Sequence, residues 1–124
     1  MLRLKKLYLV ESIVSLKNIP VGKVLINTIN AHSFNTAQKD EFFATALREG
    51  DYLIPEGASI VKACRWLRAR CQPKERIAGW DLFLHEMQAV GRREGRLKVM
   101  FLGSSEKVLS LIRERAAKDY PNLE

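Results

Sequence analysis

The chain has 124 residues, 47% of them hydrophobic, and a formal net charge of +7. That length accommodates one domain with an ordinary core. No apolar stretch approaches the roughly 20 residues that span a bilayer, and the basic balance leaves nucleic acid, anionic lipid and phosphorylated substrates as the partner classes to weigh.

Residues 1–10 start like the basic end of a secretory signal, but Glu11 interrupts them and no small-residue cleavage site follows. A short first strand in a cytoplasmic protein is the expectation. Residues 23–30 follow the turn signal Pro20-Val21-Gly22 and read as a second strand. Their near-continuous apolar run suggests burial on both faces, as in a parallel sheet. Residues 35–48 read as one helix, with Asn35 and Gln38 as a capping box, Phe43 and Leu47 four apart, and Gly50 as the stop. Tyr52, Leu53 and Ile54 form the next strand, ended by Pro55. Residues 58–70 read as a helix with Ile60, Cys64, Leu67 and Cys71 on one apolar stripe, closed by Gln72-Pro73.

Trp80, Phe83, Leu84, Met87 and Val90 mark a further helix, with Asp81 in its first turn and its end at residues 92–95. Residues 97–102 are the strongest strand pattern in the chain. Gly103, Ser104 and Ser105 then open a helix through Val108, Leu109, Ile112 and Ala116, and such a turn can hold an anion on its unpaired N–H groups. Strands alternating with helices imply an α/β fold with parallel neighbours. A Tyr-Pro-x-Leu segment at Tyr120 to Leu123 commonly leads into another strand, so the chain is expected to be the first part of a larger doubly wound domain.

Cys64 and Cys71, seven apart on a helix, stand roughly 10 Å apart in rise, too far for a disulfide. They read as free thiols, and His32 and His85 add no metal-ligand spacing. Lys62, Arg65, Arg68, Arg70, Lys74 and Arg76 make a local basic run, most simply a solvated helix face. Aromatic residues do not interleave with it as base stacking would require.

Ligands of open α/β folds bind beyond the carboxyl ends of strands. Two polar clusters occupy such ends: Asn27, Thr28, Asn30 and His32 after the first apolar run, and Pro55-Glu56-Gly57 after the second. In chain order with Arg76-Ile77-Ala78-Gly79-Trp80-Asp81-Leu82 and Phe101-Leu102-Gly103, they resemble the N-terminal half of the WecG/TagA/CpsF glycosyltransferases, from about Asn18 onward. The resemblance implies a Rossmann-like, mostly parallel sheet with flanking helices, truncated after the N-terminal half. It implies inverting transfer of N-acetylmannosamine or a related hexose from a UDP-sugar to a polyprenyl-diphosphate-linked sugar, in teichoic acid or exopolysaccharide synthesis. No metal or cofactor is implied, and the family acts at the inner face of the cell membrane as peripheral proteins.

Position by position, Thr28 and Asn30 fall on the family's active-site Thr and Asn. Glu56 falls on its Asp, the proposed general base, and is one methylene longer. Gly57 completes that motif, Arg76 and Asp81 frame the site, and Gly103 and Ser104 are candidates for the leaving diphosphate. Two other functions stay open: a catalytically inactive portion of the same fold that pairs with another chain, including a homo-oligomer, and a basic nucleic-acid-binding module. Each residue also has a plain structural role available, since Asn and Thr cap helices and a Glu after Pro is often an exposed turn residue.

Overall fold

The computed structural model describes residues 1–19, 22–92 and 97–124. The turn signal at Pro20 and Val21 and part of the expected helix end at residues 92–95 lie outside the described residues. The chain forms two compact units, Met1–Leu82 and Phe83–Glu124.

The first unit is built on two parallel strands, β1 (Ile26–Ile29) and β2 (Tyr52–Pro55), in the register Ile26↔Tyr52 to Ile29↔Pro55. The expected strand over 23–30 is shorter because the ladder exists only where both chains run side by side. A parallel pair needs a crossover, supplied by α1 (Ala31–Lys39) and α2 (Glu41–Glu49). These replace the single helix expected over 35–48. Asp40 divides them: its N–H donates to the Thr36 carbonyl at 3.0 Å, while its carboxylate accepts from the Phe43 N–H at 3.0 Å. One residue thus ends one helix and caps the next. Gly50 ends α2 as expected.

The capping box also differs from expectation. β1 ends at Ile29, so Asn30 is the first residue free to cap. The Ser33 N–H donates to Asn30 Oδ1 at 2.9 Å, and the Asn30 N–H donates to Ser33 Oγ at 2.8 Å. Gln38 instead donates to the Leu2 carbonyl at 3.0 Å.

Both faces of the sheet are covered, as the apolar runs suggest. Ile29 and Leu53 pack on one face with Leu4, Leu47, Ile60 and Cys64. Ile26, Tyr52 and Ile54 pack on the other with Val10, Leu16, Ile77 and Leu82. Residues 1–10 do not form the expected strand. They make a 3-10 turn, Leu4–Lys6, and the Val10 N–H bonds the Leu53 carbonyl at 2.9 Å. Leu4 and Leu7, three apart and both buried, suit such a turn better than strand alternation. A second 3-10 helix spans Ile13–Asn18.

α3 spans Ala58–Trp66, four residues short of the expected end. Arg68 adopts φ +50°, the left-handed conformation that ends helices. The Ala69 N–H bonds the Cys64 carbonyl at 2.9 Å, and the Arg68 N–H bonds the Arg65 carbonyl at 3.2 Å. Leu67 is therefore half exposed and Cys71 leaves the helix, so only Ile60 and Cys64 of the expected stripe are buried within it. Both cysteines are free thiols.

Helix α4, Gly79–Gly91, matches the expectation around Trp80 to Val90. In the second unit, Phe83 meets Phe101 with ring centroids 6.2 Å apart, and Asn122 Nδ2 donates to the Gly91 carbonyl at 3.2 Å. The strand expected over 97–102 is absent. A single parallel bridge, Leu97↔Leu123, stands in its place, with Glu124 N–H to Leu97 carbonyl at 2.8 Å. Strand propensity without a partner along its length does not make a ladder, and Met100 and Leu102 are 82% and 91% exposed. Helix α5, Glu106–Asp119, is capped by the Ser105 side chain. Among the described residues, no helix is long and apolar enough to cross a membrane.

Candidate functional site

The carboxyl ends of β1 and β2 carry Asn30 and Glu56. One bond holds their backbones together: the Glu56 N–H donates to the Ile29 carbonyl at 2.9 Å, extending the ladder past Pro55. The Asn30 amide then works in two directions. Its oxygen caps α1 through Ser33, and its nitrogen donates to Glu56 Oε2 at 3.4 Å. Gly57 is the N-cap of α3, and a Cβ on it would stand 3.4 Å from Asn30 Cβ, in ordinary contact.

A third segment closes beside them. The Ile77 N–H donates to the Pro55 carbonyl at 2.8 Å, and Asp81 accepts from the Ala78 N–H at 2.9 Å. These two bonds bring Gly79, the first residue of α4, to where its Cβ would lie 3.9 Å from Glu56 Oε1. The beginnings of α1, α3 and α4 therefore gather at Glu56. Helix N-termini carry partial positive charge, which favours an anion there. A carboxylate so placed keeps lone pairs for a substrate proton.

Thr28 pairs with Ile54 in mid-strand and is half-buried. Strand alternation puts it on the Ile26 face, two residues before Asn30. Arg76 is exposed and forms no ion pair with a described carboxylate. Asp81 is engaged at the start of α4, a framing position. Gly103 and Ser104 belong to the second unit, with φ of +118° and +63° before α5. His32 is exposed on α1. Among the described residues, no three His, Cys, Asp or Glu side chains are grouped to hold a metal ion. A cavity of about 710 Å³ lies at the opposite strand ends, beside Arg3, Lys6, Arg48 and Asp51, so it is not part of this constellation.

The proximity of Gly79 to Glu56 and the Ile77–Pro55 bond are not readable in the sequence. The Asn30–Glu56 contact has a local signal, the Asn30-x-x-Ser33 box that fixes the amide beside the strand end.

The profile of the family described as glycosyl transferase WecG/TagA/CpsF matches residues 3–124. The chain belongs to this family. A curated relative is the N-acetylglucosaminyldiphosphoundecaprenol N-acetyl-beta-D-mannosaminyltransferase of Bacillus subtilis (strain 168), 26% identical over 103 residues. The match covers 83% of this chain and 38% of the relative, so the chain spans well under half the relative's length. The α/β architecture expected for a WecG/TagA/CpsF protein is present as the parallel β1–β2 pair with its crossover helices.

Proposed function

We propose that the chain carries the acceptor-activating part of an inverting glycosyltransferase, with Glu56 as general base. The supporting observation is the Glu56 carboxylate, held at the end of β2 between the Asn30 amide and the start of α4. Glu56 takes the proton of the acceptor hydroxyl while that oxygen attacks the anomeric carbon from the face opposite the leaving group. The new C–O bond forms as the bond to the diphosphate breaks, and the nucleoside diphosphate departs with the electron pair. Asn30 orients Glu56, and Thr28 positions substrate from the neighbouring strand.

The donor in this proposal is a UDP-sugar and the acceptor a polyprenyl-diphosphate-linked sugar. The relative's name, with an N-acetylmannosaminyl group and a diphosphoundecaprenol acceptor, supports the transferred sugar and the acceptor class; the UDP carrier is what the family resemblance implies. Arg76 is the candidate cation for the diphosphate, and the backbone N–H groups at Gly103-Ser104, before α5, are a separate candidate. A lipid-linked acceptor places the reaction at a membrane surface.

Transfer is measured from UDP-N-acetylmannosamine to a lipid-linked N-acetylglucosamine. General-base assistance contributes about 10²- to 10⁴-fold, and Glu56→Gln is expected to lose turnover in that range. The extra methylene of Glu56 over Asp shifts the oxygens by about 1 Å, a displacement that costs roughly a hundredfold, so Glu56→Asp is expected to gain activity. Unchanged turnover in Glu56→Gln removes Glu56 from the mechanism. No turnover by the wild-type chain overturns activity for this chain.

A further inference from the structure

We propose that the cavity at the amino ends of β1 and β2 binds an organic phosphate, its phosphate at Arg3 and Lys6 and its apolar part against the leucines behind them. The cavity measures about 710 Å³, within the roughly 300–1,000 Å³ of small-molecule sites. Leu2, Leu7, Leu47 and Leu53 back it, and all four are buried. It lies at the other end of the sheet from Glu56 and stands independently of the transfer reaction.

The charged residues on its border are Arg3, Lys6, Arg48 and Asp51. Two of them are already engaged. Arg48 Nη2 donates to Glu41 and Thr45, and Asp51 Oδ2 accepts from the Leu25 N–H at 2.8 Å. Arg3 and Lys6 pair with no described carboxylate. The Lys6 N–H donates to the Arg3 carbonyl at 2.9 Å, which sets the two residues one 3-10 turn apart. A phosphate monoester carries about −1.5 to −2 at pH 7, which two cations match. A carboxylate would leave one of them unmatched.

The wall that carries these cations is fixed before any ligand arrives. The Arg70 N–H donates to the Lys5 carbonyl at 3.0 Å, and the Val10 N–H to the Leu53 carbonyl at 2.9 Å. Gln38 Nε2 holds the Leu2 carbonyl at 3.0 Å. Tyr8, also on the border, carries the Arg70 guanidinium 4.5 Å over its ring centroid. Such pre-ordering lowers the cost of binding. Inorganic phosphate would satisfy the cations but leave the leucines unused, so the ligand carries a hydrocarbon part.

Butyl, hexyl, octyl and dodecyl phosphate are titrated into the protein by calorimetry, below their micellar concentrations, beside inorganic phosphate, octanol and octanoate. Affinity is expected to rise about twofold to fourfold per methylene and to level off once the cavity is full. Octyl phosphate is expected to bind more tightly than octanoate, octanol or inorganic phosphate. Arg3 and Lys6 are exposed, so replacing them leaves the core intact. Arg3→Gln and Lys6→Gln are each expected to weaken octyl phosphate about threefold to tenfold, and Lys62→Gln, on α3 away from the cavity, not at all. Vesicles of phosphatidylcholine with phosphatidic acid separate the two sources of such a phosphate. Retention that needs Arg3 and Lys6 assigns a lipid headgroup, and binding of the short esters alone assigns a soluble one; either supports the site.

Octyl phosphate binding that is unchanged in both variants, or matched by octanol or by inorganic phosphate, overturns the proposal. So does an affinity that keeps rising through dodecyl phosphate, which is adsorption on an open surface. Glu56→Gln is expected to bind octyl phosphate as the wild type does. Weaker binding there would move the ligand to the other end of the sheet and refute this site, while leaving the base assignment untouched.

Discussion

Asn30→Ala and Asn30→Ser divide the two bonds that one amide makes. Asn30 Oδ1 accepts from the Ser33 N–H at 2.9 Å, and Nδ2 donates to Glu56 at 3.4 Å. The first has ordinary length, and losing a cap costs about 1 kcal/mol. The second is long for an N–H···O bond and contributes less than a typical one. Alanine loses both, whereas serine keeps an acceptor for the cap. The reciprocal bond from the Asn30 N–H to Ser33 Oγ survives in either variant.

Asn30→Ala is therefore expected to lose about 1–1.5 kcal/mol. For a chain of this size that is a fall in Tm of about 3–6 °C. Asn30→Ser is expected within about 1–2 °C of wild type. Thermal melts followed by circular dichroism, with urea midpoints at constant m as a second measure, read both. If the serine variant is as unstable as the alanine one, the cap is not the source of the stability. An unchanged Asn30→Ala melt refutes the reasoning altogether.

Two further outcomes concern stability alone. Gly50→Ala puts a Cβ 2.5 Å from Asn27 Nδ2, which donates to the Ala46 carbonyl at 3.0 Å; displacing that amide is expected to cost about 1–3 kcal/mol in urea denaturation, against a small gain from a stiffer unfolded chain. Burial pushes the Cys64 thiol up, with Cys71 adding in the same direction. The folded chain then holds a proton that the unfolded chain releases, so stability is complete below about pH 8.5 and falls as pH rises above it. Cys64→Val is expected to flatten that alkaline fall in Tm, and an identical slope in wild type and variant would contradict it.

The end of β2 was legible because its apolar run stops at Pro55, whereas the run Val24-Leu25-Ile26 stops three residues before β1 ends at Ile29. Helix limits were less so. Asp40 and Arg68 end helices by conformations that side-chain periodicity does not encode, one as a double cap and one in the left-handed region. Residues 97–102 show the same gap from the other side: their propensity was read correctly, but pairing depends on what lies alongside, and only the Leu123 end does. In the candidate site, the sequence places Glu56 and Asn30 just past the strand ends, and there they meet. The approach of Gly79 was not legible, because it depends on a backbone bond between residues 22 apart in the chain, Pro55 and Ile77.

Ile77 belongs to two things at once. Its side chain is 1% exposed in the smaller cluster with Val10, Leu16 and Ile54, and its N–H holds the chain against Pro55. The segment that leads to Trp80 therefore cannot swing away from Glu56 without breaking that bond and drawing a core side chain into water. Local opening at this end of the sheet is tied to unfolding of the rear core rather than to loop fluctuation. The Ile77 amide should accordingly exchange with solvent as slowly as Val10 and Leu16, and its protection factor measures how firmly the segment before α4 is held against the end of β2.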